Sequence, residues 1–171
     1  MTKSSARKEL AKIAISQVGV KEEGGNNCGK MIRKYQASTW LKPAPWPWCA
    51  AFVDWCVQEW LTDPAVVDLL GIESASEWRP KTAGAWDLAR WAKLKQLPVL
   101  GEDSAAYAGD IVIFDFSHVG IIAQDSPAKE KTIVTIEGNT NGKGDRDSTS
   151  GDGVWKKNRA RTLAKQFIRL V

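Results

Sequence analysis

The chain has 171 residues, a length that encloses one hydrophobic core and hardly two, so a single catalytic-sized domain over 1–171 is expected. Hydrophobic residues at 43% and charged residues at 26% exclude a disordered chain and a fibrous repeat, and a net charge of +4 is too moderate to single out a nucleic-acid binder. The first twenty residues lack the continuous apolar core of a secretory signal, and no run reaches the roughly 18 apolar residues of a membrane span, so a soluble cytoplasmic product is expected.

In chain order, Leu10, Ile13, Ala14 and Val18 recur at helical spacing and predict a helix from Ala6 to Val18, closed by Gly19. KEEGGNNCGK reads as a polar loop and MIRKYQ as a short helix, before the prolines of LKPAPWPWC forbid helix up to Trp48. In WCAAFVDWCVQEWL, Cys49, Phe52, Val53, Cys56 and Trp60 share one stripe, so Cys49 opens a buried helix. The first turn of a helix carries unpaired N–H groups and the positive end of the dipole, which favour a thiolate. KTAGAWDLARWAKLKQ predicts a third helical region ahead of Pro98.

From Asp110 the texture changes to short β-branched runs, DIVIF, HVGIIAQ, KTIVTIEGN, GVWKKNR and FIRLV, which predict an antiparallel sheet. Helices first and strands afterwards give an α+β domain. Between the third and fourth runs, DRDSTSGDG has Ser150 where an EF-hand loop needs glycine and Lys156 where it needs a bidentate glutamate, so it reads as a solvated loop. Beyond Asp152 no acidic residue occurs, while Lys156, Lys157, Arg159, Arg161, Lys165 and Arg169 crowd the end. That tail is either an attractor for a polyanion or a solvated strand face.

Cys28, Cys49 and Cys56 are an odd set without disulfide or zinc-knuckle spacing, so reduced thiols are expected. One histidine in the chain leaves no ordinary zinc site, and neither a metal nor another cofactor is expected.

A hairpin turning near Ala128 sets His118 opposite Gly138, so one face brings the imidazole beside Glu137 or Asn139. If the helix opened by Cys49 packs on that face, a thiol meets an imidazole that is oriented through its second nitrogen, an arrangement that splits amide cleavage into acylation and deacylation. The Cys49 N–H is then one oxyanion donor. This reading needs the sulfur and the imidazole to meet across a cleft, with the imidazole not sealed in the interior. Each part also has a plainer reading as a core cysteine, a structural histidine or a strand-ending Glu-x-Asn, and it is their conjunction that favours catalysis. Trp46 and Trp48 flank the cysteine and could line a substrate groove, whereas Trp55, Trp60 and Trp86 lie in helical stripes and read as core.

PWCAAFVDWC, GDIVIF, SHVGII and IEGNTN, in that order, resemble the CHAP domain, a papain-like cysteine amidohydrolase and peptidase of bacterial and phage wall hydrolases, from about EEGGNNCGKMIRKY to the end. The resemblance implies Cys49 as nucleophile, His118 as base, Glu137 as the group orienting the histidine, Asn139 as a supporting polar group, and Glu23, Asn26 and Asn27 as a polar rim. The loop EEGGNN replaces the aspartate-rich calcium loop of some relatives, and Trp48 replaces the glutamine some carry before the cysteine, so neither calcium nor an oxyanion donor from that side chain is expected. The implied function is an endolysin-like, monomeric peptidoglycan hydrolase, without a nucleic-acid partner or a separate wall-binding module. It would reach the wall from the host cytoplasm through a pore and cut either the N-acetylmuramoyl-L-alanine bond or a peptide bond. The alternatives are a delivered toxin, a virion-associated hydrolase, or a non-catalytic basic module that binds wall polymer or nucleic acid.

Overall fold

The computed structural model describes residues 1–143 and 151–171, so most of DRDSTSGDG lies outside the described residues. Helix α1 (Lys3–Ser16) starts ahead of its apolar pattern because Thr2 caps it: Ser5 N donates to Thr2 Oγ1 at 3.1 Å, and Thr2 N donates to Ser5 Oγ at 3.0 Å. It buries Ala6, Leu10 and Ala14, while Val18 falls past its end and is exposed. Helix α2 (Lys30–Ala37) follows the polar loop.

Helix α3 (Cys49–Trp60) begins where the last proline permits, and all five residues of the Cys49 stripe are buried. Burying Phe52, Val53 and Trp60 contributes about 1.5–3 kcal/mol each. The Trp60 indole N–H donates to Ala6 O at 2.8 Å and ties α3 to α1.

Two short helices, α4 (Pro64–Leu70) and α5 (Ala75–Trp78), were not anticipated although their start signals are present. Ala65 N donates to Asp63 Oδ1 at 2.9 Å with Pro64 in the first turn, and Glu77 N donates to Ser74 Oγ at 3.3 Å. Helix α6 (Asp87–Leu94) is shorter than the predicted 81–96, because Gly84 N donates to Thr82 Oγ1 and turns the chain before Trp86. Trp86 heads that helix 54% exposed, so its expected place in the core is corrected.

Among the described residues six strands form one antiparallel sheet: β1 (Val99–Leu100), β2 (Ile111–Phe114), β3 (Val119–Ile122), β4 (Thr132–Thr140), β5 (Gly153–Ala160) and β6 (Ala164–Ile168), in the order β1-β6-β2-β3-β4-β5. The last strand starts three residues ahead of FIRLV and ends at Ile168, and a 3-10 turn at Arg161–Leu163 carries the chain from β5 to β6. With the helices N-terminal and the strands after them, the fold is α+β.

The strands alternate between two cores. Ile111, Ile113, Val119, Ile121 and Ile136 join the helical layer around α3, while Val112, Phe114, Ile122, Ile133 and Phe167 build a smaller cluster on the reverse face. All three cysteines are free thiols. Among the described residues no helix is long and apolar enough to cross a membrane.

Candidate active site

The hairpin of β3 and β4 pairs Ile121 with Ile136 and Ile122 with Thr135, one residue from the register centred on Ala128. The connection is set from outside: Ser126 bridges to Ala106, and the Arg161 guanidinium binds Ser126 O, Ser126 Oγ and Pro127 O. Carried one step further, the observed register sets Glu137 opposite Gly120. A Cβ on Gly120 would lie 2.7 Å from Glu137 Cγ, so the missing side chain is what lets the glutamate lie across β3 toward His118.

His118 Nε2 lies 2.8 Å from Glu137 Oε2, which resolves the alternative between Glu137 and Asn139 in favour of Glu137. The remaining acceptor capacity of the carboxylate is also used. Thr135 Oγ1 donates to Oε1 at 2.5 Å, Arg159 Nε donates to Oε1 at 2.9 Å, and Arg159 Nη2 donates to Oε2 at 2.5 Å. Burial pushes the carboxyl up, but the bonds from Arg159 and His118 outweigh it and hold Glu137 at about 2. Asn139 lies two residues on, in the irregular end of β4, with φ 55° and its side chain buried; asparagine is among the few residues that adopt this conformation readily.

Helix α3 does not pack on the hairpin face carrying His118 and Glu137. It packs on the opposite face, against Val119, Ile121 and Ile136, and its first turn lies on Gly138. A Cβ there would stand 2.6 Å from Phe52 Cβ and 2.7 Å from Trp48 Cζ3. Cys49 therefore meets the imidazole at the end of the sheet, where β3 starts, rather than across its face. The thiol is close enough to act on the ring: burial alone lowers the affinity of His118 for a proton, but Cys49 and then Glu137 raise it to about 9. Among the described residues Nδ1 has no hydrogen-bond partner, so the nitrogen that would face a nucleophile is unoccupied by any other group.

The imidazole has no exposed surface, and its ring lies near-parallel to those of Phe114 and Phe116. The expectation of an imidazole open to a cleft is corrected. What keeps the chemistry within reach is that Cys49, at 7% exposure, is the group beside the ring. A reactant that reaches the sulfur reaches the base through it. The helical ladder of α3 begins with Phe52 N donating to Trp48 O at 2.9 Å, which leaves the N–H groups of Cys49, Ala50 and Ala51 outside it.

The expected groove residues separate into three kinds. Trp48 is fully buried and stacked on Tyr35, and its indole N–H donates to Glu22 Oε1 at 2.9 Å, so it is part of the core and not of a groove. Trp46 is half-buried, with its indole N–H on Lys42 O at 3.0 Å. Glu23 and Asn26 are exposed, whereas Asn27 is buried with φ 56°, donates its N–H to Glu22 Oε2 at 2.8 Å, and borders a cavity of about 400 Å³ with Arg33, Gln36 and Ala44. Glu22, missed in the sequence, thus joins the polar loop to the residue preceding Cys49.

The basic tail is also redistributed. Arg159 and Arg161 are buried, the latter donating to Glu130 O, Glu102 O and Ser104 O as well as to the hairpin connection, and Lys157 Nζ donates to Asn141 O and Lys143 O. Arg169 is paired with Asp110 at 2.7 Å. Only Lys156 and Lys165 of the six are exposed, so neither reading of the tail, an attractor for a polyanion or a solvated strand face, describes it as a whole. The alternation of GVWKKNRA does put Trp155, Lys157 and Arg159 on one face, a signal for burial that the charge masked.

No curated protein matches the chain. The family model of the CHAP domain matches residues 41–139, more than half of the chain, and the matched stretch runs from the proline-rich approach to Cys49 through to Asn139. This chain belongs to the CHAP domain family of papain-like, cysteine- and histidine-dependent amidohydrolases and peptidases that act on peptidoglycan.

Proposed function

We propose that the chain is an endolysin-like peptidoglycan hydrolase that cleaves an amide bond by a thiol mechanism, with Cys49 as nucleophile and His118 as base. The observation that carries the reading is that the chain's one histidine is bonded to Glu137 through Nε2, while Cys49, at the head of a buried helix, is near enough to raise the ring's affinity for a proton. In the reacting pair the Cys49 proton already stands on Nδ1 of the imidazolium, and the sulfur attacks the carbonyl carbon, forming a C–S bond while the carbonyl electrons move to oxygen. The N–H groups at the start of α3 receive that charge. The imidazolium then protonates the leaving nitrogen, the C–N bond breaks, and a thioester remains. Water attacks the thioester, losing a proton to Nδ1, and the carboxylate product departs with the thiol restored. Throughout, Glu137 stays ionised, accepts a hydrogen bond from Nε2–H and fixes the plane of the ring.

The bond is either N-acetylmuramoyl-L-alanine or a peptide bond of the stem or cross-bridge, and the product acts on the wall after passing from the host cytoplasm through a pore. Half-buried Trp46, exposed Glu23 and Asn26, and the cavity bordered by Asn27 form the substrate side of this reading. The non-catalytic basic module is the weaker reading, since Lys157, Arg159 and Arg161 of the basic tail are buried. The test is clearance of a suspension of purified sacculi by the wild type and by Cys49→Ala, with mass spectrometry of the released muropeptides. Clearance is expected to vanish in the variant, and the new chain ends identify the bond. Undiminished clearance by Cys49→Ala overturns the mechanism.

A further inference from the structure

The Glu137 carboxylate is held chiefly by a residue that neither the sequence reading nor the family match points to. Arg159 lies beyond the matched stretch of 41–139, on β5, the edge strand of the sheet. Its side chain lies on the face of β4 and β5 turned away from α3, the face that carries Glu137, and its Nε and Nη2 engage the two carboxylate oxygens separately. The guanidinium also lies near the rings of Phe114 and Phe116, 5.4 and 5.7 Å from their centroids, the same rings that lie parallel to His118. A fork bonded this way fixes both the position and the plane of a carboxylate, which a point charge does not.

We propose that Arg159 is a positioning residue of the site: its fork locks Glu137 as an ionised acceptor aimed at His118 Nε2, so that the ring keeps its proton on that nitrogen and turns Nδ1 to Cys49. The proposal rests on the hydrolase reading only for its catalytic consequence. A buried carboxylate beside a buried imidazole, with no further charge, lowers its cost by sharing the imidazole's proton and neutralising the pair. A fixed cation on the far side of the carboxylate opposes that transfer. Thr135 Oγ1, the other donor to Oε1, supplies no charge and cannot replace it. Lys157, also on β5, donates to Asn141 O and Lys143 O.

The test uses the fact that His118 is the only histidine, so every imidazole signal belongs to it. Three proteins are compared: wild type, Arg159→Met, which removes charge and fork, and Arg159→Lys, which keeps the charge and removes the fork. The readouts are the downfield imidazole N–H resonance at neutral pH, the rate of Cys49 alkylation by iodoacetamide across pH in a Cys28→Ser background, and kcat and KM on sacculi. In wild type the Nε2–H signal is expected to exchange slowly with water. In Arg159→Met it is expected to be lost, with alkylation at pH 7 at least tenfold slower and kcat down roughly 10–100-fold at a KM within twofold, the range found when the group orienting a catalytic ligand is removed. Arg159→Lys should recover part of the alkylation rate and less of kcat.

An unchanged resonance and unchanged alkylation profile in a folded Arg159→Met overturn the proposal. If that variant does not fold, an Arg159→Lys protein indistinguishable from wild type in all three readouts overturns it equally. Neither the resonance nor alkylation requires a wall substrate, so loss of both in the variant, in a wild type that clears no sacculi, sinks the hydrolase reading and leaves the positioning role standing.

Discussion

Replacing Gly138 with alanine tests the geometry of the site at a position that touches no reacting atom. The added Cβ would stand 2.6 Å from Phe52 Cβ, against about 3.4 Å for ordinary contact, so β4 and the first turn of α3 must separate by 3.4 − 2.6, or 0.8 Å. Phe52 and Trp48 are fully buried and cannot swing aside, and the strand is fixed on its other edge by β5. The displacement therefore passes to Cys49 on one side or to Glu137 on the other. A misplacement of about 1 Å costs on the order of 10²-fold in rate. Overpacking of this kind costs about 1–3 kcal/mol, which lowers Tm by roughly 2–12 °C in a chain of this size. Sacculus clearance followed by turbidity reads the first effect and differential scanning calorimetry the second. Activity within twofold of wild type together with an unchanged Tm would refute the argument that the Gly138 contact sets the approach of sulfur to imidazole.

Gly120→Ala drives a Cβ to 2.7 Å from Glu137 Cγ and 2.9 Å from Ile136 O, so kcat should fall by roughly 10–100-fold with KM little changed; a kcat equal to wild type contradicts the role given to that gap. Glu137→Gln removes the carboxylate charge that pairs with the buried Arg159 guanidinium and should cost about 3–5 kcal/mol in urea unfolding, and a loss below 1 kcal/mol would mean that this pair is not closed to water. The NMR titration of His118 should have its midpoint near 9 instead of the model-peptide 6.5. Because the folded value is raised, the stability contributed by this group is complete below pH 6.5 and is lost as pH rises through about 9, so unfolding free energy should decline across that window; a midpoint at 6.5 or below would show that Cys49 and Glu137 do not outweigh burial.

Much of this protein is written locally. The helix-then-strand order, the buried stripe that starts at Cys49 and the strand bearing Glu137 follow from periodicity and from three prolines, because both periods are properties of the backbone and need no partner. The motifs around Cys49, His118 and Glu137 likewise pointed to the family that matches. The starts of α4 and α5 were there to be read in Asp63-Pro64 and Ser74.

What tertiary structure decided is which face each element covers and in what register. The hairpin register depends on Arg161 and on the bridge from Ser126 to Ala106, contacts distant in sequence, and a single-residue shift exchanges the faces of every side chain involved. The side of the sheet that α3 covers depends on Gly138 offering room, and a glycine in a strand carries no periodic signal. Above all, charge misled: Arg159 looked like one more cation in a basic tail. Only the fold, by supplying a buried carboxylate within reach of its fork, made an interior place for it cheaper than a place in water.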